Sequence, residues 1–208
     1  MADAFLATRL QPHKTARESL GKGSLAMIGV NPPNRLHHTA YVTSDLEATR
    51  RFYEDTVGFP LIATWCEQEE LFGRTRTYCH CFFGMADGSA LAFFQFADPQ
   101  DQAQFGPALP SSPFRHIAVD VDSCTQEGIL ARLRASEFAR SLYVLEHGYC
   151  RSVYVTDPNG MIVEFAVDAP DAAMINARNR AVAHEELQRW MNGDHTPNNR
   201  FRVYAEAS

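Results

Sequence analysis

Leu36-His37-His38-Thr39-Ala40-Tyr41-Val42-Thr43-Ser44-Asp45-Leu46-Glu47 is the stretch on which the fold turns. Leu36 to Thr43 reads as a strand, rich in apolar, aromatic and β-branched residues. Ser44 and Glu47 then have the spacing of a capping box, which predicts a helix start. Leu46, Thr49, Phe52/Tyr53 and Val57 recur at helical spacing, and Gly58 is a natural stop. Strand-like runs follow at Leu61 to Cys66, Thr77 to Gly84 and Ala90 to Phe96, with Asp87-Gly88 as a hairpin turn. Residues 34–97 therefore read as a β-α-β-β-β module.

The same order restarts further along the chain. Phe114 to Val121 reads as a strand, and Ser123 with Gln126 offers a second capping box before Ile129, Leu130 and Leu133. Strands fit Arg140 to Leu145, Ser152 to Thr156 and Met161 to Val167, the last two joined by Asp157-Pro158-Asn159-Gly160. His116-Ile117-Ala118 answers His38-Thr39-Ala40, and Gly160 answers Gly88. This is an internal repeat of roughly sixty residues, with the second module over residues 114–169. Residues 98–113, with Pro99, Gly106, Pro107, Pro110 and Pro113, read as a linker. Residues 1–33 read as an arm, with part of Phe5 to Leu10 able to dock on the body. Residues 170–208 read as a helix over Asp171 to Met191 and a polar tail with Phe201 and Tyr204 as anchors.

Composition narrows the class. The 208 residues are 45% hydrophobic and 21% charged, an ordinary globular mix. The net charge is −6, with no basic block, which argues against nucleic-acid binding. No apolar run approaches the ~18–20 residues of a membrane span, and the first thirty residues do not read as a secretory signal. Cys66, Cys79, Cys81, Cys124 and Cys150 are odd in number and scattered without a CxxC, which suits a reduced, cytoplasmic protein without structural zinc.

Three residues stand out chemically. His38 and His116 hold equivalent positions on the first strands of the two modules, and Glu164 lies on the last strand of the second. Modules paired about a pseudo-twofold axis bring the two histidines together, and Glu164 completes a face of two imidazoles and one carboxylate. Such a face suits a non-haem Fe(II) site with open positions. Val163, Phe165 and Val167 form the apolar side of their strand, so Glu164 points the other way. Each residue also has a plainer role: a satisfied core histidine, or a carboxylate paired with arginine. His37 competes with His38, but the match to His116-Ile117-Ala118 favours His38.

The first module, with Arg51-Phe52-Tyr53 and Gly58-Phe59 after the opening stretch, resembles the vicinal oxygen chelate superfamily. That superfamily includes glyoxalase I, the bleomycin- and fosfomycin-resistance proteins and the type I extradiol dioxygenases. The resemblance covers about residues 35–168. It implies an α+β fold in which two paired βαβββ modules form a half-open eight-stranded barrel around one divalent metal. By position, His38, His116 and Glu164 match the metal ligands.

His147, Val153, Tyr154, Asp157-Pro158-Asn159-Gly160 and Glu164 follow the spacing of the extradiol ring-cleavage signature, with Leu145 as a departure. The resemblance implies a non-haem Fe(II) dioxygenase acting on a catechol-like aromatic and O2, with Mn, Zn or Ni as other candidate ions. His147 and Tyr154 would stand beside the substrate. Outside that resemblance Tyr154 reads equally as a cross-strand aromatic and His147 as a loop residue. The family's acid/base histidine before the second metal histidine has no counterpart in Ala97 to Arg115; His80 is the nearest substitute. Gln95 raises a fourth-ligand alternative of the glyoxalase type, which suits a lyase or isomerase. A metal-free small-molecule binder is the third reading. Phe82, Phe83, Phe93, Phe94 and Phe96 read as core or as the wall of a pocket for a flat ring. The superfamily resemblance also implies a homodimer.

Overall fold

The computed structural model describes residues 32–108, 110, 112–198 and 203–205. The expected arm, apart from its last two residues, and the side chains of Phe201 and Tyr204 lie outside the described residues. The chain divides into two compact units, Met1–Leu36 and His37–Ser208. Of the first, residues 32–36 are described, an irregular exposed stretch. Among the described residues, the second holds the regular structure.

Within it the repeat takes the expected form. β1 (His38–Val42) leads into α1 (Leu46–Arg50), which continues as a π-helical turn over Arg51–Val57. β2 (Leu61–Leu71), β3 (Arg74–Gly84) and β4 (Ala90–Phe96) complete a sheet in the order β1-β4-β3-β2. α2 (Pro99–Phe105) crosses to β5 (His116–Asp120) and α3 (Ser123–Arg134). A 3-10 turn (Glu137–Ser141) then precedes β6 (Tyr143–Glu146), β7 (Cys150–Thr156) and β8 (Ile162–Asp168). After α4 (Ala172–Met191), β9 (Val203–Ala205) adds a fifth strand to a sheet ordered β5-β8-β7-β6-β9. In both modules the first strand pairs parallel with the last. The fold is α+β with two βαβββ modules, and the sheets are not closed.

Several local expectations are corrected. The helix caps are Asp45 and Asp122, whose carboxylates accept from the Ala48 and Thr125 N–H groups, and not Ser44 and Ser123. Each aspartate holds the extended backbone that a cap requires, one residue on from or before the expected serine. The linker contains a helix: Asp98 caps it and Pro99 sits in its first turn, where a missing N–H costs nothing. β2 and β3 are longer than expected, because Glu67-Gln68-Glu69-Glu70 continue an edge strand whose polarity hides it from an apolar count. Arg140 lies in the 3-10 turn, so the strand expected from there starts at Tyr143. Among the described residues no helix is long and apolar enough to cross a membrane.

The two modules share one core. Phe52, Tyr53, Phe83, Leu91 and Phe93 from the first meet Ile129, Leu133, Val153, Val163 and Phe165 from the second. Phe52 meets Phe138 edge to face at 4.8 Å. Polar bonds fix the seam. Tyr53 Oη donates to Asp157 Oδ2 at 3.0 Å, and Asn159 Nδ2 donates to Thr49 Oγ1 at 3.2 Å. Arg132 donates to the carbonyls of Thr56 and Val57 at 2.6 and 2.9 Å, satisfying the C-terminal end of the first helix where cations are favoured. Gly58 closes that end at φ +97°, a left-handed conformation that glycine adopts without strain.

Candidate active site

Strand alternation sorts each module into a core face and an open face. In the second module Val153, Val155, Val163 and Phe165 enter the core. Ser152, Tyr154 and Glu164 therefore share the other face, with His116 and Ala118 beside them on β5. Glu164 lies opposite both Ala118 and Tyr154 in the ladder.

Glu164 is 6% exposed and fully engaged. Its Oε1 accepts from Ser152 Oγ at 2.5 Å, and its Oε2 lies 2.9 Å from His116 Nε2. His116 Nδ1 stands 3.0 Å from the Pro113 carbonyl, which accepts its proton and leaves Nε2 aimed at the carboxylate. The Tyr154 hydroxyl is also within hydrogen-bonding reach of Glu164; burial first, and the carboxylate second, push its pKa well up. His147 Nε2 lies 2.9 Å from Tyr154 Oη. With the phenol proton on Glu164, His147 donates to the phenol oxygen. Tyr143 stacks on Tyr154 at 4.7 Å, nearly parallel, and its hydroxyl too is pushed up by burial and then by Glu164. His116, His147, Tyr154 and Glu164, all expected at the site, form one connected cluster.

Two donors of this cluster have the spacing of neighbouring ligands to a divalent ion. Two donors about 2.1 Å from an ion and at right angles to one another lie about 3 Å apart. His116 Nε2 and Glu164 Oε2 already have that spacing.

The first module carries the other half of the expected set. His38 is exposed on β1, its Nδ1 2.7 Å from His37 Nδ1 and its ring edge-on to Phe82. His80, on β3 of the same sheet face, stacks on Phe94 at 3.6 Å and approaches Phe82 and Trp65. Its Nε2 is buried and has no hydrogen-bond partner among the described residues. Burial, with a smaller contribution from His38, lowers its pKa to about 4. The five phenylalanines divide accordingly: Phe83 and Phe93 are core, Phe82 and Phe94 surround His80, and Phe96 stacks on Phe105.

His38 does not join His116 and Glu164 within one chain. Among the described residues no group of three or more His, Cys, Asp and Glu side chains is placed to hold an ion. The modules pack through their helix faces, and His38, Ala40, His116 and Ala118 all remain exposed. The position that answers Glu164 in the first module is Ala92, which pairs with Ala40 as Glu164 pairs with Ala118. Gln95 lies on the opposite face, where its Oε1 accepts from the Leu46 N–H at 2.9 Å and helps to cap α1.

Ser152 and Tyr143 were not anticipated. Ser152 was legible by period: it stands two residues before Tyr154, a small hydroxyl on the same face of the strand. Between β1 and β5 a cavity of about 720 Å³ opens beside His116, lined by Ala40, Phe94, Phe105, Ile117 and Met161, with Arg115 at its edge.

Comparison with known proteins agrees with the fold. The family model described as "Glyoxalase/Bleomycin resistance protein/Dioxygenase superfamily" matches residues 35–165. The fosfomycin resistance protein FosX from Listeria monocytogenes is 18% identical, with a TM-score of 0.49 over 68% of this chain and 98% of that one. Lactoylglutathione lyase from Agrobacterium tumefaciens is 23% identical, with a TM-score of 0.45 over 65% and 95%. A glyoxalase/bleomycin resistance protein/dioxygenase from Nocardioides is 23% identical, with a TM-score of 0.43 over 70% and 89%. No curated protein matches the chain.

Proposed function

The chain belongs to the glyoxalase/bleomycin resistance protein/dioxygenase superfamily, and from that premise we propose that it is a metal-dependent, extradiol-type ring-cleavage dioxygenase acting on a catechol-like aromatic and O2. The observation that carries this reading is the donor set. His116 and Glu164 are spaced as neighbouring ligands, while Ala92 and the turned-away Gln95 leave the first module no fourth ligand. Three protein ligands leave a face open for two substrate oxygens and O2, whereas a lyase or isomerase of the glyoxalase type is better served by four.

His38 is the third ligand in this proposal, and a second copy of the chain supplies it. His38 and His116 are both exposed, so a homodimer that sets the His38 face of one copy against the His116–Glu164 face of the other completes the set. Fe(II) is the proposed ion, with Mn, Zn and Ni as competitors. When bound, it supplies Lewis acidity and, as iron, redox chemistry with O2.

The chain's own residues do the rest. His116 is oriented by Pro113, and Glu164 by Ser152. Tyr154 holds a proton beside the place where substrate oxygens would lie, and His147 fixes that phenol from behind. His80 offers an unpartnered Nε2 on the His38 face and is proposed as the acid/base group. Phe82, Phe94 and Trp65 around it form a wall for a planar ring. The cavity beside His116 leaves room for a substituent.

The test is metal competition. Protein loaded anaerobically with Fe(II), Mn(II) and Zn(II) together should retain about one iron per chain after desalting and consume oxygen on a catechol panel. Retained zinc without oxygen uptake would point to a lyase or isomerase. Ligand binding without retained metal would point to a sequestering protein.

A further inference from the structure

β2 and β3 place three thiols on one tile of the sheet, on the face opposite Trp65 and His80. Cys66 stands directly across the ladder from Cys79, and Thr64 stands across from Cys81. The Cys79 thiol is within hydrogen-bonding reach of both Cys66 and Cys81, and the Thr64 hydroxyl lies 3.5 Å from the Cys81 sulfur. Cys66 is exposed, Cys79 half-buried and Cys81 buried, and all three are free thiols.

We propose that Cys66 and Cys79 are an oxidant-responsive dithiol, a modification site that a hydroperoxide closes to a cross-strand disulfide. Directly opposed residues of an antiparallel pair have Cα atoms about 4.5–5.5 Å apart, within the ~4.4–6.8 Å that a disulfide spans. The diagonal pair, Cys66 with Cys81, is about 7–8 Å apart and too distant. The register thus selects one partner from two candidates.

The chemistry balances. The Cys66 thiolate attacks one peroxide oxygen, the O–O bond breaks, and the departing hydroxide takes a proton to leave as water. Cys66 is then a sulfenic acid. The Cys79 sulfur attacks the Cys66 sulfur, loses its proton to solvent and expels the hydroxyl as a second water. Two thiols lose two electrons in all, and one hydrogen peroxide becomes two waters. Cys66 is the attacking thiol because it is the one that solvent reaches. Burial pushes the Cys79 thiol up to about 12, so it resolves slowly at neutral pH and faster as pH rises. β2 is the edge strand of its sheet, and Cys66 on it is exposed to solvent-borne oxidant.

The site is independent of the metal reading. The test treats the reduced full-length chain, free of added metal, with hydrogen peroxide and follows it by intact mass and a non-reducing peptide map. The expected result is a loss of about 2 Da, a Cys66–Cys79 linked peptide, and reversal by dithiothreitol. Cys79→Ser should strand Cys66 as a sulfenic acid that dimedone captures, while Cys124→Ser should leave the link intact. Oxygen adducts on Cys66 in the wild type without a link would overturn the proposal. So would a link to Cys81 in place of Cys79.

Discussion

Replacing Tyr53 by phenylalanine removes one oxygen from the seam between the modules and nothing else. The Tyr53 side chain is fully buried, and its ring packs on Phe52 and Phe93 at 4.9 and 5.1 Å, contacts that phenylalanine retains. Its hydroxyl donates to Asp157 Oδ2 at 3.0 Å. A hydrogen bond to a charged acceptor contributes about 1.5–3 kcal/mol. Asp157 keeps three other donors, the N–H groups of Asn159 and Met161 and the Asn159 side-chain amide, so the lower figure of about 1.5 kcal/mol applies. For a chain of this size that is a fall of about 3–6 °C in Tm, read by circular dichroism at neutral pH.

The sign with pH follows from Asp157. Burial holds its carboxyl above the ordinary aspartate value. Such a group adds stability while protonated, below its unfolded value, and that stability is lost as pH rises through the folded one. Above the folded value the acceptor is charged and the Tyr53 bond is at its strongest. The deficit of Tyr53→Phe should therefore be largest at neutral pH and shrink as pH falls through the raised value. A variant melting within ~1 °C of wild type at neutral pH would refute the seam as described.

Other perturbations have equally definite outcomes. Gln126→Ala removes the buried amide that bridges the carbonyls of Arg151 and Phe165 at 2.9 and 2.7 Å; the loss should be about 2–3 kcal/mol by urea titration. Gly58→Ala meets only an ordinary van der Waals contact, with Arg132 Nη2 3.6 Å from the new methyl group, so its cost of about 1–2 kcal/mol comes from the left-handed backbone. Tyr154→Phe should retain the ion and lower turnover by ~10²–10⁴, measured as oxygen uptake, with unchanged kinetics returning Tyr154 to a purely structural place.

How far the sequence could be read depends on what kind of information each feature uses. The repeat was plain, because His38-Thr39-Ala40 and His116-Ile117-Ala118 each open a strand that pairs parallel with the last of its module. β4 runs from Ala90 to Phe96 as its apolar run indicates. α2 was hidden because Pro99 reads as a breaker unless Asp98 is seen as its cap. The outer half of β2 was hidden because an edge strand can be polar on both faces. In the second module, alternation around Val163 and Phe165 turned Glu164 the right way, and the spacing from His147 to Glu164 brought a connected cluster into view. Gln95 was ambiguous because its register was uncertain by one residue, and one residue decides the face. Where His38 stands relative to His116 and Glu164 was not legible at all. Whether two equivalent modules meet within a chain or between chains is decided by helix packing, here Tyr53 on Asp157 and Arg132 on Val57, and not by the pattern of either module.

That last point is also the most direct to test. His38→Ala and Glu164→Ala chains are purified separately, shown to lose the ion, then mixed, re-equilibrated and assayed for retained metal beside the wild type. If each site draws His38 from one copy and His116 with Glu164 from the other, every mixed dimer regains one whole site. Random exchange then restores about one ion per four chains, against about one per chain in the wild type. No recovery, with mixed dimers verified by native mass spectrometry, would contradict a site completed by the second copy.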